Sequence, residues 1–378
     1  MRILHVIYTH GVGGAEKYLK HLLPGLKGYG IDCDLIVVCT KQTEDIFAAY
    51  CVTLNGLGVR TTLMVAEKYN ILKTAQKVNA YLKAEKIDIL HTHLFHADLM
   101  AAVLKTFFNK RIHIISTKHG YQEKFLQQYE PGKRYSPKDF YYLLTKFFLR
   151  KIDSNVAVSK GIADLYVNLG LTKIAYPFIH HGIKIVEFNK EECRSECKLA
   201  NPQLIVVGRI ELFKGHQFLI DAMPTVATAF PGVKLLILGE GSEKENRIKQ
   251  VNKLQLQNNV TFLGFKDHPY AFISQSDIII LPSLFEPFGL VYIEAFALKT
   301  PVIAFNTPAG NEIMENNETA LLVDKADTAS LAEKIIYLLK NKAAGEAMAE
   351  RAYKKYLEFF TTEIMIKNTA DWYLKTGL

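Results

Sequence analysis

Apolar positions along this chain fall into short blocks that alternate with longer amphipathic stretches. In the first half the blocks are Ile3–Tyr8, Asp34–Cys39, Arg60–Val65, Ile87–Thr92, His113–Thr117 and Asn155–Val158. Several are apolar almost without interruption, as parallel strands covered by helices on both faces must be. Between them, segments such as Tyr69–Lys86 and Lys138–Lys151 carry apolar residues at helical spacing. The second half restarts the alternation. It predicts strands at Leu204–Val207, Lys234–Leu238, Val260–Leu263, Asp277–Leu281, Val302–Phe305 and Ala320–Val323, and helices at His216–Phe230, Ser242–Leu256, Leu290–Leu298 and Ser330–Lys340. Two successive strand–helix series predict an α/β chain of two doubly wound, Rossmann-like domains. The break falls at Gly182 and the charged stretch that follows it, giving domains 1–182 and 183–360.

Composition and charge narrow this picture. A chain of 378 residues is ample for two cores, and 49% hydrophobic with 22% charged residues is the balance of a folded protein. No apolar run approaches the roughly 18 residues that span a bilayer, and Met1–Tyr8 leads straight into a glycine loop, as a first strand does. The net charge of +8 is unevenly placed: residues 1–180 hold 24 Lys and Arg against 14 Asp and Glu, the rest 22 against 24. The excess favours an anionic partner on the first half: a phosphate-bearing lipid, a membrane surface or nucleic acid. The five cysteines (Cys33, Cys39, Cys51, Cys193, Cys197) have no metal-ligand spacing and read as reduced thiols of a cytoplasmic protein.

The most informative segment runs from Leu281 to Phe296. A buried strand ends at Pro282, a loop carries Glu286, and Gly289 opens a helix containing Glu294. Free amides at a helix N-terminus attract phosphate, and a glycine there lets the backbone approach it. Glu286 is placed to accept hydrogen bonds from sugar hydroxyls, and Glu294 to reach a ribose diol. The pattern E-P-F-G-L-x-x-x-E resembles the signature of the retaining glycosyltransferases of family 4, whose fold is named GT-B. Gly208-Arg209 with Lys214-Gly215 resembles that family's G-R-x-x-x-x-K-G element, and the loop through Gly11, Gly13 and Gly14 resembles its N-terminal glycine-rich loop. Thr117-Lys118-His119-Gly120 is similar to its T-x-H-G element. The chain departs from the pattern at His181-Gly182, where the family carries Asn-Gly.

The resemblance implies two Rossmann-like domains facing a central cleft, with a last helix, 361–378, crossing back to the first. It implies a donor domain at 183–360 and an acceptor domain at 1–182. The nucleoside-diphosphate sugar would be bound by Gly13, Gly14, Arg209, Lys214, Glu286, Phe288, Gly289, Leu290 and Glu294. His119, Glu286, Arg209 and Lys214 would act at the reacting centre, and His93, His119 and Tyr121 would line the acceptor side. Two fixed cations at the diphosphate stabilise the leaving group. No cofactor and no metal are expected, although His91, His93 and His96 lie close in sequence. The acceptor is expected to be a glycan or a lipid-linked precursor of surface polysaccharide or lipopolysaccharide. Residues 133–151 mix aromatic and basic side chains, which would suit contact with an anionic membrane surface at its cytoplasmic face. Two other readings stay open: a sugar-nucleotide epimerase of the same fold, and a basic nucleic-acid-binding protein. The latter has no accompanying motif, so no nucleic-acid partner is expected.

Overall fold

The computed structural model describes residues 1–66, 70–121, 140–189, 202–266 and 269–376. The chain divides into two compact units, Met1–Gly182 with Thr362–Leu378, and Ile183–Thr361.

The first unit is built on six parallel strands: β1 (Arg2–Tyr8), β2 (Asp32–Cys39), β3 (Arg60–Val65), β4 (Ile89–His93), β5 (His113–Lys118) and β6 (Ser154–Ala157). Their order across the sheet is β3-β2-β1-β4-β5-β6, with Ile3 level with Cys33 on one side and Ile89 on the other. Helices cover both faces, so Leu4, Val6, Ile36 and Leu90 pack on one side while Ile3, Ile7, Leu35 and Val37 pack on the other. This is why the central strands read as unbroken apolar runs.

The sheet of the second unit is β7 (Gln203–Val207), β8 (Lys234–Leu238), β9 (Val260–Gly264), β10 (Ile278–Leu281), β11 (Val302–Phe305) and β12 (Leu321–Val323). Its order, β12-β11-β10-β7-β8-β9, reverses direction between β7 and β10, the two strands that pair at its centre. Ligand sites of open α/β sheets form at the carboxyl ends of the strands flanking such a reversal.

The C-terminal stretch is two helices, Lys342–Phe359 and Thr362–Lys375, the second lying within the last helix expected at 361–378. The chain leaves the helix at Phe360, whose carbonyl accepts from the Ile183 amide at 2.9 Å. The last helix belongs to the first unit, where Ile366 packs so closely on Gly25 that a Cβ there would meet it at 2.2 Å. Among the described residues no helix is long and apolar enough to cross a membrane. Cys33, Cys39 and Cys51 are free thiols; Cys193 and Cys197 lie outside the described residues.

Candidate active site

In the second unit the loops after β7, β8 and β10 meet at the carboxyl edge of the sheet, and glycines allow them to. Gly215, at φ +73°, lies so close to the end of β10 that a Cβ would sit 1.8 Å from the Pro282 carbonyl oxygen. Gly239, at φ +149°, approaches the Gly208 carbonyl oxygen in the same way, with 1.9 Å left for a Cβ. Side chains would force these loops apart.

Lys214 ends the short 3₁₀ turn Leu212–Lys214, and Glu286 lies in the loop after β10. Lys214 Nζ donates to Glu286 Oε1 at 2.5 Å, with side chains only 18% and 11% exposed. Ser283 Oγ donates to the same carboxylate oxygen at 2.8 Å. Arg209 is exposed, with its guanidinium 5.4 Å from the centre of the Phe213 ring; Lys214 Nζ lies 5.6 Å from that ring. The two cations therefore flank one aromatic side chain. Gly289, at φ +96°, caps the helix Leu290–Ala297, and a Cβ there would strike the Tyr292 ring at 2.4 Å. Glu294 is buried on this helix, and Phe288 is also buried, its ring 6.2 Å from that of Phe360. Phe288 can therefore offer a ligand its backbone rather than its ring, whereas Leu290 is half-buried at the helix start.

The candidate residues of the first unit form a different environment. His119 follows β5 and is half-buried, with Tyr121 two residues beyond it. His93, expected on the acceptor side, is fully buried at the end of β4. Its Nδ1 bonds His119 Nε2 at 3.0 Å and its Nε2 bonds His5 Nδ1 at 3.0 Å. It stands behind His119 and presents no surface to an acceptor, because strand alternation turns it inward. His91, on the same strand, spends both nitrogens on Tyr373 Oη and Thr117 Oγ1, at 2.5 and 2.8 Å. It ties the last helix to the sheet. The Gly13 amide donates to Glu16 Oε2 at 2.7 Å, closing a capping box on the helix Gly14–Leu26, so that amide is committed within the loop.

The histidines His91, His93 and His96 do not converge: His96 lies beside Tyr8 and His10, at 5.2 and 5.8 Å between ring centres. The third imidazole near His91 and His93 is His5, and one nitrogen of each lies within 4.8 Å of the others. The three rings are nearly parallel, at 27°, 17° and 13°, and five of the six nitrogens are used in the bonds above. Lone pairs on parallel rings do not aim at one point, as tetrahedral ligation requires. Burial holds His5 and His119 near a pKa of about 3, and His91 and His93 well below the ordinary range, so all four are neutral at pH 7.

Below His119, Lys118 is buried and its ammonium meets Asp98 Oδ2 at 2.6 Å. Ser116 and Thr92 donate to Asp98 Oδ1 at 2.6 and 2.5 Å, so the buried carboxylate is fully engaged. Burial lowers the Lys118 pKa. Sequence reasoning passed over His5, Asp98, Lys118's ion pair and Ser283. For His5 the signal was available, a histidine within an otherwise apolar strand. For the ion pair, 20 positions apart, no local pattern marks the partnership.

Comparison with known proteins agrees with this architecture. The model for "Glycosyltransferase Family 4" matches residues 12–186, and that for "Glycosyl transferases group 1" matches 189–355. Glycogen synthase of Mycobacterium tuberculosis is 25% identical over 401 residues, covering 99% of this chain and 94% of that protein. The N-acetylgalactosamine-N,N'-diacetylbacillosaminyl-diphospho-undecaprenol 4-alpha-N-acetylgalactosaminyltransferase of Campylobacter jejuni is 25% identical over 370 residues, with 95% of each chain covered. Among solved structures, HepE of Anabaena in complex with UDP-glucose superposes with a TM-score of 0.80 at 19% identity, covering 99% of this chain and 100% of that one.

Proposed function

The chain belongs to the group 1 glycosyltransferases of family 4 and has their GT-B fold, and from that premise we propose that it moves a hexose-type sugar from a nucleoside-diphosphate sugar to a glycan or lipid-linked acceptor, with retention of anomeric configuration. The observation that carries the donor site is the Lys214–Glu286 pair, held beside the N-terminus of the helix Leu290–Ala297. A cation next to a helix N-terminus offers a diphosphate both a point charge and free amides. The solved HepE complex holds UDP-glucose, which supports a uracil nucleotide as the first donor to test.

In this reading the diphosphate binds Arg209, Lys214 and the amides from Gly289 onward. Glu286 then adds the sugar hydroxyls to its bonds from Lys214 and Ser283, and Glu294 takes the ribose. Gly13 and Gly14 supply backbone near the phosphates, and His119 touches the transferred sugar. Charge building on the departing phosphate is stabilised by fixed cations, so the reaction needs no metal. The acceptor hydroxyl loses its proton to the leaving phosphate as the anomeric bond breaks on the same face. The acceptor of the Campylobacter jejuni relative is carried on diphospho-undecaprenol, which supports a lipid-linked acceptor and a role in surface polysaccharide or lipopolysaccharide assembly.

A peripheral position at the cytoplasmic face of the membrane follows from the same reading. The helix Phe140–Leu149 exposes Phe140, Leu143 and Phe147, with Lys146 on it and Arg150 and Lys151 after it. Exposed apolar side chains rimmed by basic ones suit anionic headgroups. Residues 133–139 of the basic segment lie outside the described residues.

Product analysis by proton NMR tests the reaction. An axial donor sugar should yield an axial product; an inverted product, or conversion of the donor without any acceptor as an epimerase would give, contradicts the proposal.

A further inference from the structure

The second unit carries a hollow that the donor residues do not use. Its volume is about 570 Å³, within the range of small-molecule sites. It is enclosed by two consecutive helices, Thr328–Lys340 and Lys342–Phe359, and by the chain entering β12. Ala344, Met348 and Arg351 follow at helical spacing on the second helix and line it together. Ala344 leaves unfilled the volume that a longer side chain would take. Leu321 opens β12, so the hollow lies at an amino end of the sheet, whereas Lys214 and Glu286 stand beyond carboxyl ends. Leu321 and Met348 are buried and give it an apolar floor, and Tyr337, 48% exposed, stands over them.

The polar groups around this floor are unspent. Among the described residues, the side chains of Asn317, Glu333, Lys334 and Tyr337 bond no other residue. Arg351 uses only Nε, which donates to the Glu318 carbonyl at 2.8 Å and meets its carboxylate at 3.2 Å. Charged neighbours outside the hollow are paired, Lys355 with Glu315 at 2.5 Å and Lys299 with Glu350 at 2.7 Å. The hollow thus offers an amide, a carboxylate, a phenol, an ammonium and the two Nη groups of a guanidinium. Lys334 and Arg351 are balanced by Glu333 and Glu318. A site without net charge gives a phosphate or an anionic headgroup no advantage. An apolar floor ringed by mixed donors and acceptors suits a neutral polyhydroxyl molecule.

We propose that this hollow holds a neutral pyranose unit of a glycan, apart from the transfer centre. The C–H face of the sugar lies on Tyr337, whose ring is apolar and whose hydroxyl stays wet. Asn317, Glu333 and Arg351 take the sugar hydroxyls, each of which both donates and accepts. The proposal rests on the reading of the acceptor as a glycan, and it adds a function to that reading. A glycan anchored here stays at high effective concentration through successive transfers.

The test is methyl NMR of the full chain with labelled methionine methyls, the Met348 signal being assigned by its loss in Met348→Leu. Maltoheptaose, chitohexaose and galactohexaose are titrated separately, with and without UDP, and inorganic phosphate is titrated as the anionic probe. At least one oligosaccharide should shift the Met348 methyl saturably, UDP present or not, and phosphate should leave it in place. Tyr337→Ala should weaken that binding about tenfold, and Ala344→Leu, which fills the hollow, should abolish it. Each variant decides by itself, so one that fails to fold leaves the other. No shift with any of the three sugars, an equal shift with phosphate, or wild-type affinity in a folded variant overturns the proposal. Assays of sugar transfer on the same protein separate the two readings. A chain that transfers sugar to a glycan yet shows no Met348 shift loses this site and keeps the proposed function. One that shows the shift but glycosylates no glycan keeps the site and loses the function.

Discussion

Lys214 and Glu286, 72 positions apart in sequence, meet at 2.5 Å at the carboxyl edge of the second sheet. The carboxylate holds the ammonium in place before any diphosphate arrives, and the ammonium orients the carboxylate. Replacing either should therefore damage both. Lys214→Ala should lower kcat/KM for the donor by about 10²–10³-fold, the scale of one preorganised charge at a reacting centre. Glu286→Gln should lower kcat with less effect on KM. Steady-state kinetics with the preferred donor checks both, and wild-type kinetics in Lys214→Ala would remove the residue from the site.

Gly215 and Gly289 have different steric margins. Alanine at 215 meets main-chain oxygen at 1.8 Å, which cannot rotate away, whereas alanine at 289 meets the Tyr292 ring at 2.4 Å. Both also carry positive φ, where a Cβ is strained by about 1 kcal/mol or more. Gly215→Ala should give the larger fall in melting temperature, and both should weaken donor binding. Thermal melts rank them; equal stability of Gly215→Ala and wild type would contradict the close packing.

The buried Asp98–Lys118 pair predicts strong non-additivity. Lys118→Met leaves a buried carboxylate with two hydroxyl donors but no counter-charge, costing about 3–5 kcal/mol. The double variant Asp98→Asn with Lys118→Met should be more stable than Lys118→Met alone. Denaturant unfolding of the four proteins of that cycle measures the coupling.

Acid sensitivity follows from the histidines. His5 and His119 are held near 3, and His91, His93 and His181 well below 6.5, by burial. Below pH 6.5 the unfolded chain takes up protons that the folded chain refuses. Stability is therefore full above about 6.5 and falls with pH, by about 1.4 kcal/mol per unit for each such histidine. The melting temperature should be level from pH 8 to 7 and drop steeply between 6 and 4. His5→Phe should make the decline shallower by one histidine's share; an unchanged slope would show that His5 charges freely.

Much of the fold was legible because parallel strands buried on both faces leave unbroken apolar runs. The predicted edges of β3, β8 and β11 coincide with the observed ones. The break after Phe360 came from the family resemblance rather than from any local signal, since no proline or glycine marks it and the backbone bond to Ile183 that draws the chain aside is non-local. In the site, residues carried by motifs, such as Glu286 and Lys214, were named from spacing, whereas Ser283 and His5 were not. Their roles come from partners on other segments. His93 was misread for the same reason: its position on β4 was clear, but only the packing shows that it stands behind His119.

The central claim is that the donor binds the second unit through Lys214, Glu286 and Glu294. Isothermal titration of the full chain against UDP-, GDP-, ADP- and dTDP-sugars, repeated with Glu294→Ala, tests it most directly. One nucleotide sugar should bind the wild type and lose at least about tenfold in affinity, or about 1.4 kcal/mol, in the variant. A wild type that binds none of them, or a folded Glu294→Ala that binds as the wild type does, would contradict the account.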